Sequence, residues 1–395
     1  GTSRPSLAPS KATQTTSKSD ETRQQAAADA GWMQGALALA RRGLGRVAPN
    51  PAVGCILVRE GRVLGRGWTQ PGGRPHAETE AIRRARAADA DGARGATCYV
   101  TLEPCAHHGK TPPCVDALID AGAARVVAAL EDPDPRVAGF GLQRLREAGI
   151  VVETGVEAQA AAELNAGYLL MRRQDRPLVT LKAATTLDGR IATHGGESQW
   201  ITEAPTRARG HLLRARHDAV MVGSGTAVAD DPSLTVRLPG MDAYRPLRVV
   251  LDGRLRLPLT HGLVRNAGSI PTLLMTRCDV PTDRLEAYRG AGVEVAQLPT
   301  DAHGALSLTA ALHELAARGL TRVLVDGGGQ LAAGLLRYNL VDRIVWFRSP
   351  RVIGGDGIPA IAGFGLHQLA DTPRFRPTGA TSVGDDVMES YVRVA

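Results

Sequence analysis

The chain has 395 residues, 43% of them hydrophobic, and its 47 Lys+Arg against 40 Asp+Glu leave a net charge of +7. That length carries two or three cores, and no run of eighteen apolar residues offers a membrane span. Five cysteines are too few for a disulfide scaffold and 4% aromatics too few for a base-stacking platform, so the scattered arginines suit phosphorylated small molecules better than nucleic acid.

Residues 1–24 are rich in Ser, Thr, Lys and Gln and read as a disordered extension without the apolar stretch of a secretory signal; a cytoplasmic protein is expected. From Ala26 on, Trp32, Met33, Leu37, Ala40 and Leu44 recur near helical spacing. Val53–Val58 and Val63–Trp68 read as two strands around a turn at 59–62. Then come a helix at Thr79–Ala90, a strand at Ala96–Leu102, a helix at Val115–Ala121 and a strand at Arg125–Leu130. A helix at Gly141–Ala148, a strand at Ile150–Thr154 and one helix over Glu157–Arg173 complete a layered α/β domain at 25–173. The polar stretch Gln174–Pro177 is read as the linker to a second domain at 177–395. Its strands are expected at Leu178–Ala184, Ala219–Val222, Leu247–Leu251, Pro271–Met275, Val293–Gln297, Arg322–Val325 and Arg343–Phe347, with helices between most of them.

In the first domain His76-Ala77-Glu78, Pro104-Cys105 and Pro113-Cys114 stand out. Zinc takes tetrahedral His/Cys sets, and a catalytic site keeps the fourth position for water. Zinc nucleobase deaminases use one His, two Cys and a Glu that is not a ligand, in the pattern H-x-E then P-C-x-x-C. His76, Cys105 and Cys114 are therefore the expected ligands of one Zn2+, although eight residues separate the cysteines, and Glu78 is the expected catalytic proton carrier. Pro75 and the Pro112-Pro113 pair put His76 and Cys114 at helix starts, where the helix dipole favours a thiolate. The alternative is a closed structural zinc site with His107 or His108 as fourth ligand. Cys55 and Cys98 fall in strand patterns and read as core thiols.

Only four lysines occur, Lys11, Lys18, Lys110 and Lys182. The last two fall in chemistry-bearing segments, where a compact, tunable charge differs from an arginine. In the second domain Asp326-Gly327-Gly328-Gly329 follows a strand and opens a helix, as a phosphate-cradling turn does, without being a G-x-G-x-x-G fingerprint.

The run Thr101–Cys114 (TLEPCAHHGKTPPC) and Pro49–Gly54 (PNPAVG) resemble the bifunctional riboflavin-biosynthesis deaminase/reductase family. So do Leu181–Arg190 (LKAATTLDGR), Gly196–Thr202 (GESQWIT) and Gly225–Arg237 (GTAVADDPSLTVR), and the resemblance covers about residues 30–390. It implies a three-layer cytidine-deaminase-like domain followed by a dihydrofolate-reductase-like one. It implies a pyrimidine substrate bearing ribose phosphate, deaminated and then reduced with NADPH, and a homo-oligomer that binds neither nucleic acid nor membrane. Carried over, the deaminase substrate contacts are Asn50, His108, Lys110 and Thr111. The NADPH contacts are Ala184, Trp200, Thr226, Asp230, Gly253, Gly328, Gly329, Gln330, Leu331, Ala332, Ala333 and Gly334. The reductase substrate contacts are Ser198, Arg214, Leu234, Arg237 and Asp326, the two arginines suiting a phosphate. Two departures are visible: Thr79-Glu80 stands where the family often has Val-His, and Asp326 where it often has Glu. Arg254 or Arg277 is expected at the NADPH 2′-phosphate, with Asp252 unfavourable there unless it turns inward; the roles of Lys182 and Asp188 are open. The rival enzyme reading is a nucleoside or RNA deaminase with a degenerate second domain. A non-enzymatic one, a basic nucleic-acid-binding module with structural zinc, predicts salt-sensitive binding.

Overall fold

The computed structural model describes residues 12–109, 112–134 and 138–394. They divide into two compact units, one holding the described residues up to Gly43 with Ala52–Asn165, the other Leu44–Pro51 with the chain from Ala166 on.

In the first unit β1 (Gly54–Arg59), β2 (Arg62–Trp68), β3 (Thr97–Val100), β4 (Arg125–Ala128) and β5 (Val151–Thr154) form one sheet, ordered β2-β1-β3-β4-β5. β1 is antiparallel to β2 and β3, and β3 to β5 are parallel. The helices are α1 (Ala12–Ala40), α2 (Ala77–Ala88), α3 (Cys114–Asp120), α4 (Phe140–Glu147) and α5 (Ala158–Leu164).

Missing side chains set how closely the helices lie on this sheet. A Cβ on Gly54 of β1 would sit 1.9 Å from the Ala36 carbonyl oxygen of α1. On β2, Cβ atoms at Gly65 and Gly67 would sit 2.1 Å from Ala81 O and 2.0 Å from Ala77 O of α2. Gly54 pairs with Trp68 and Cys55 with Gly67. Successive strand residues point to opposite faces, so α1 and α2 cover opposite sides and the unit has three layers. The buried Ala77, Ala81 and Ala85, four residues apart, form the matching face of α2. Main-chain contact thus positions α2, and with it His76 and Glu78 at its start. Gly67→Ala is expected to destabilise the unit by about 1–3 kcal/mol or more and to abolish deamination. Thermal unfolding of the variant checks this; a wild-type midpoint would refute it.

α1 begins at Ala12, so helical backbone occupies part of the stretch read as a disordered extension. No Gly or Pro lies between Ser10 and Ala30, so nothing stops the helix from propagating back from its packed part. That part is anchored by Asp29, which accepts from Tyr99 Oη at 2.7 Å and from Arg125 at 2.9 and 2.6 Å. Residues 1–11 lie outside the described residues. The expected single helix over Glu157–Arg173 is broken at Asn165. Its side-chain amide accepts from Ala52 N at 2.9 Å and donates to Ala52 O at 3.0 Å, and the chain resumes as α6 (Ala166–Gln174).

In the second unit the seven expected strands are present as β6 (Leu178–Thr185), β8 (Ala219–Gly223), β9 (Leu247–Leu251), β10 (Thr272–Arg277), β11 (Glu294–Leu298), β12 (Arg322–Asp326) and β13 (Arg343–Arg348). They run parallel in the order β11-β10-β9-β8-β12-β6-β13. The sheet continues through an antiparallel pair the sequence did not reveal, β16 (Asp386–Arg393) and edge strand β15 (Phe375–Val383). β15 is exposed along most of its length and contains Pro377 and Gly379, which an edge tolerates. β7 (Arg190–Ala192) and β14 (Ile358–Pro359) form a separate two-stranded ribbon. The helices are α7 (Ala204–Ala215), α8 (Ser224–Asp230), α9 (Gly262–Arg265), α10 (Thr282–Gly290), α11 (Leu308–Ala317) and α12 (Gly329–Arg337). Both faces of the parallel strands are buried. Val249, Val323 and Val325 pack with α11 and α12, and Val250, Leu274 and Leu324 with α9 and α10.

Candidate functional site

In the first unit two helix starts converge. His76 is the N-cap of α2, and Cys114 is the first residue of α3. His76 Nδ1 lies 3.3 Å from Cys114 Sγ and 3.6 Å from Cys105 Sγ, and the Cys114 N–H donates to Cys105 Sγ at 3.3 Å. The three donor atoms all lie within 4.8 Å of one another. The Cys114 thiol hydrogen bond, helped by His76, pulls the Cys105 thiol down to about 4. The same contact and burial push Cys114 well up. Glu78 is buried in the first turn of α2, and burial pushes its carboxyl up to about 7, where a carboxyl both takes and gives a proton near neutrality. A His nitrogen and two sulfurs at this spacing fit a tetrahedral zinc ion with one position open.

His107 and His108 are exposed and belong to no donor cluster among the described residues, so neither closes the set. Lys110 and Thr111 lie outside the described residues. Asn50 sits half-buried in a turn, its N–H donating to Val47 O at 3.0 Å. Glu80 is held by Arg83 at 2.8 Å and Arg84 at 2.7 Å, away from the donors' chemistry. Cys55 and Cys98 are fully buried with their sulfurs 3.5 Å apart.

Glu103 is a residue that sequence reasoning passed over. Its buried carboxylate accepts the N–H groups of Asp132, Gly139, Gly141 and Leu142 at 3.1, 3.0, 2.8 and 3.3 Å. It ties the Pro104-Cys105 segment to the start of α4. An acid two residues before a ligand cysteine was the available signal.

In the second unit a cavity of about 400 Å³ gathers Ala184, Ser198, Trp200, Arg214 and Arg237 together with Lys182. Behind it Asp326 pairs with Lys182 Nζ at 3.1 Å and Arg214 at 2.5 Å. β6 and β12 bring this about, since Lys182 and Asp326 are register partners. Burial works against the Asp326 carboxylate, but Lys182 and Arg214 outweigh it and hold the group well below the usual range. Asp188 has a different role. It accepts from Thr186 Oγ1 at 2.6 Å, Gly354 N at 2.7 Å and Ile353 N at 3.2 Å, and so anchors that loop.

Other expected contacts are placed differently. Leu234 is 1% exposed, its side chain in the core with Val220 and Leu263. Gly327 and Gly328, both at φ 98°, make the turn into α12, and Thr226 Oγ1 would lie 3.0 Å from a Cβ on Gly328. Gly329 approaches the Pro359 carbonyl, and Gln330 is exposed. Leu331, Ala332 and Ala333 are buried, and Gly334 packs on Leu308 of α11, so this segment offers the backbone N–H groups of its first turn rather than side chains. Asp230 is exposed at the end of α8, and Gly253 lies against Arg277. Asp252 is fully buried and accepts from Leu257 N at 2.7 Å, so it is turned inward. Arg277 is held by Asp279, whereas Arg254 is exposed. No helix among the described residues is long and apolar enough to cross a membrane.

The two folds and their clusters define a zinc-type pyrimidine deaminase unit and a reductase unit in one chain. Residues 27–130 match the cytidine and deoxycytidylate deaminase zinc-binding region, and residues 177–388 the RibD C-terminal domain. The riboflavin biosynthesis protein RibD of Escherichia coli (strain K12) is 40% identical over 367 residues, covering 90% of this chain and 97% of that protein. Among solved structures, Acinetobacter baumannii RibD (form 2) has TM-score 0.82 and 35% identity over 94% of this chain and all of that one. The Thermotoga maritima diaminohydroxyphosphoribosylaminopyrimidine deaminase/5-amino-6-(5-phosphoribosylamino)uracil reductase has TM-score 0.81 and 34% identity, with the same coverages. The chain belongs to the RibD family, the bifunctional deaminase/reductases of riboflavin biosynthesis.

Proposed function

We propose that the first unit binds one zinc ion through His76, Cys105 and Cys114 and hydrolytically deaminates 2,5-diamino-6-ribosylamino-4(3H)-pyrimidinone 5′-phosphate. The second unit then reduces the ribosyl group of the product to ribityl with NADPH. The observation that carries the deaminase reading is the three-donor cluster with a buried, proton-ready Glu78 beside it. Zinc, when bound, supplies a Lewis acid that makes water acidic near neutral pH. Glu78 takes the two protons of the attacking water in turn and passes one to the ring nitrogen and the other to the departing amine, so the water oxygen stays on the ring and ammonia leaves. In the second unit NADPH supplies the hydride. Arg214, fixed by Asp326, and Arg237 hold the phosphorylated substrate, Ala184 and Trp200 border the nicotinamide, and the first turn of α12 takes the diphosphate. Arg254 takes the 2′-phosphate, since Arg277 is already paired. A cationic cavity with these partners argues against a degenerate second domain.

The test is to incubate the zinc-loaded enzyme with the diaminopyrimidine phosphate and NADPH, and to follow ammonia and NADPH oxidation together. Both are expected, with NADH a poor substitute; equal use of NADH would refute the cofactor preference. Cys105→Ser is expected to lower zinc below one per chain, and undiminished zinc on metal analysis would overturn the ligand set.

A further inference from the structure

The reductase cavity carries more positive charge than the contacts assigned above use. α7 places Arg207, His211 and Arg214 four and then three residues apart, on one helix face, and all three line the cavity with Lys182 and Arg237. Arg214 is committed, with Nε and Nη2 on Asp326 at 2.7 and 2.5 Å and Nη1 on Thr235 O at 3.1 Å. Lys182 shares that same carboxylate. Burial and the two neighbouring arginines push His211 towards its neutral form.

Arg207 differs from these. Among the described residues no carboxylate pairs with it. Its Nη1 donates to Thr202 O at 2.7 Å, and its guanidinium lies 4.5 Å from the centre of the Trp200 ring. A carbonyl and an aromatic face orient a guanidinium without cancelling its charge, and stacking leaves the in-plane N–H groups pointing outward. Gly210, on the turn between Arg207 and Arg214, keeps the floor low, since a Cβ there would meet nothing within 4 Å. On its far side Arg207 also borders a second cavity, of about 440 Å³, walled by Glu203, Asp385 and Asp386. Asp386 is spoken for in part, accepting from Glu203 N at 2.9 Å.

We propose that Arg207 is a substrate-binding residue of the reductase, its unpaired guanidinium edge taking the 5′-phosphate together with Arg237. This rests on the reductase reading above. Arg214, oriented by Asp326, keeps its place beside Arg207 and Arg237, and Arg207 adds the N–H groups that Arg214 has given to Asp326 and Thr235 O. Trp200 serves as the platform that fixes the Arg207 plane, which links the nicotinamide side of the cavity to the anion side.

The test compares full-length wild type with Arg207→Ala and Arg207→Lys, using the deaminated substrate with and without its 5′-phosphate and following NADPH oxidation. Loss of a charge-assisted contact predicts that Arg207→Ala shrinks the kcat/KM preference for the phosphorylated substrate by about 10–100-fold, mainly through KM, with Arg207→Lys partly restoring it. An equal loss on both substrates would mean that Arg207 only holds Trp200 and the Thr202 loop, and would overturn the proposal; so would an unchanged preference. Calorimetric titration with ribose 5-phosphate is the second readout, expected to show binding to wild type weakened at least tenfold in Arg207→Ala. Should wild type oxidise no NADPH with either substrate, the reductase reading fails, and the titration still decides whether Arg207 holds a sugar phosphate.

Discussion

Glu78→Gln is expected to cut ammonia release by about 10²–10⁴-fold, the usual worth of a general acid–base group, while zinc stays at one per chain. Gln keeps the shape of the side chain but can neither take up nor release a proton near neutral pH. Glu78 is buried 4% exposed beside the donors without being one of them, so the cluster should still load. Metal analysis and an ammonia assay on the same preparation separate the two effects. The variant should still oxidise NADPH when given the deaminated substrate, because the reductase chemistry is assigned to the other unit. Near-normal ammonia release would show that a different group moves the proton.

The second large effect is expected at Asp326. Removing its carboxylate in Asp326→Ala leaves Lys182 and Arg214 facing each other without their shared partner, and breaking such a buried set costs about 3–5 kcal/mol. The reductase should lose both stability and activity, while deamination serves as the internal control. The sign with pH follows from the lowered native pKa. The carboxylate's contribution is fully present above its unfolded value, near 4, and fades only as acid protonates it below that, so the deficit should be undiminished at pH 7. Adding Lys182→Met to Asp326→Ala should recover part of the loss, a non-additivity expected of groups in direct contact. Thermal unfolding followed by circular dichroism on wild type, both single variants and the double variant tests both; full additivity would mean that the pair is not coupled.

Much of this was legible in the chain because the relevant signals are local. His76, Glu78, Cys105 and Cys114 were readable since zinc chemistry fixes residue types and helix starts mark themselves with proline. The parallel strands from β6 to β13 were readable as continuous apolar runs, which a sheet buried on both faces requires. What escaped depends on contacts between distant segments. β15 looks like loop because an edge strand needs no apolar alternation. Asn165 looks like one more helical residue until Ala52 presents its main chain to it. Glu103 gains its role only when α4 arrives with its N–H groups. Leu234 was carried over as a ligand contact from the family resemblance, and that its side chain joins the core with Val220 and Leu263 shows only in the folded chain. Arg207 gave no sign of its own, since one arginine among many in a basic chain becomes distinctive only when its neighbours are committed and no carboxylate among the described residues has claimed it.

The bare strand surface at Gly65 and Gly67 bears on how this enzyme can drift. In a saturation library selected for growth without supplied riboflavin, tolerance should not fall off smoothly with distance from the metal. Positions 65 and 67, which supply no donor atom, should be purged about as completely as His76 itself, while exposed Arg62 and Arg66 of the same strand vary freely. A variant catalogue that ranks substitutions by proximity to the reacting atoms would therefore misjudge β2, and loss-of-function alleles there would pass for innocuous ones.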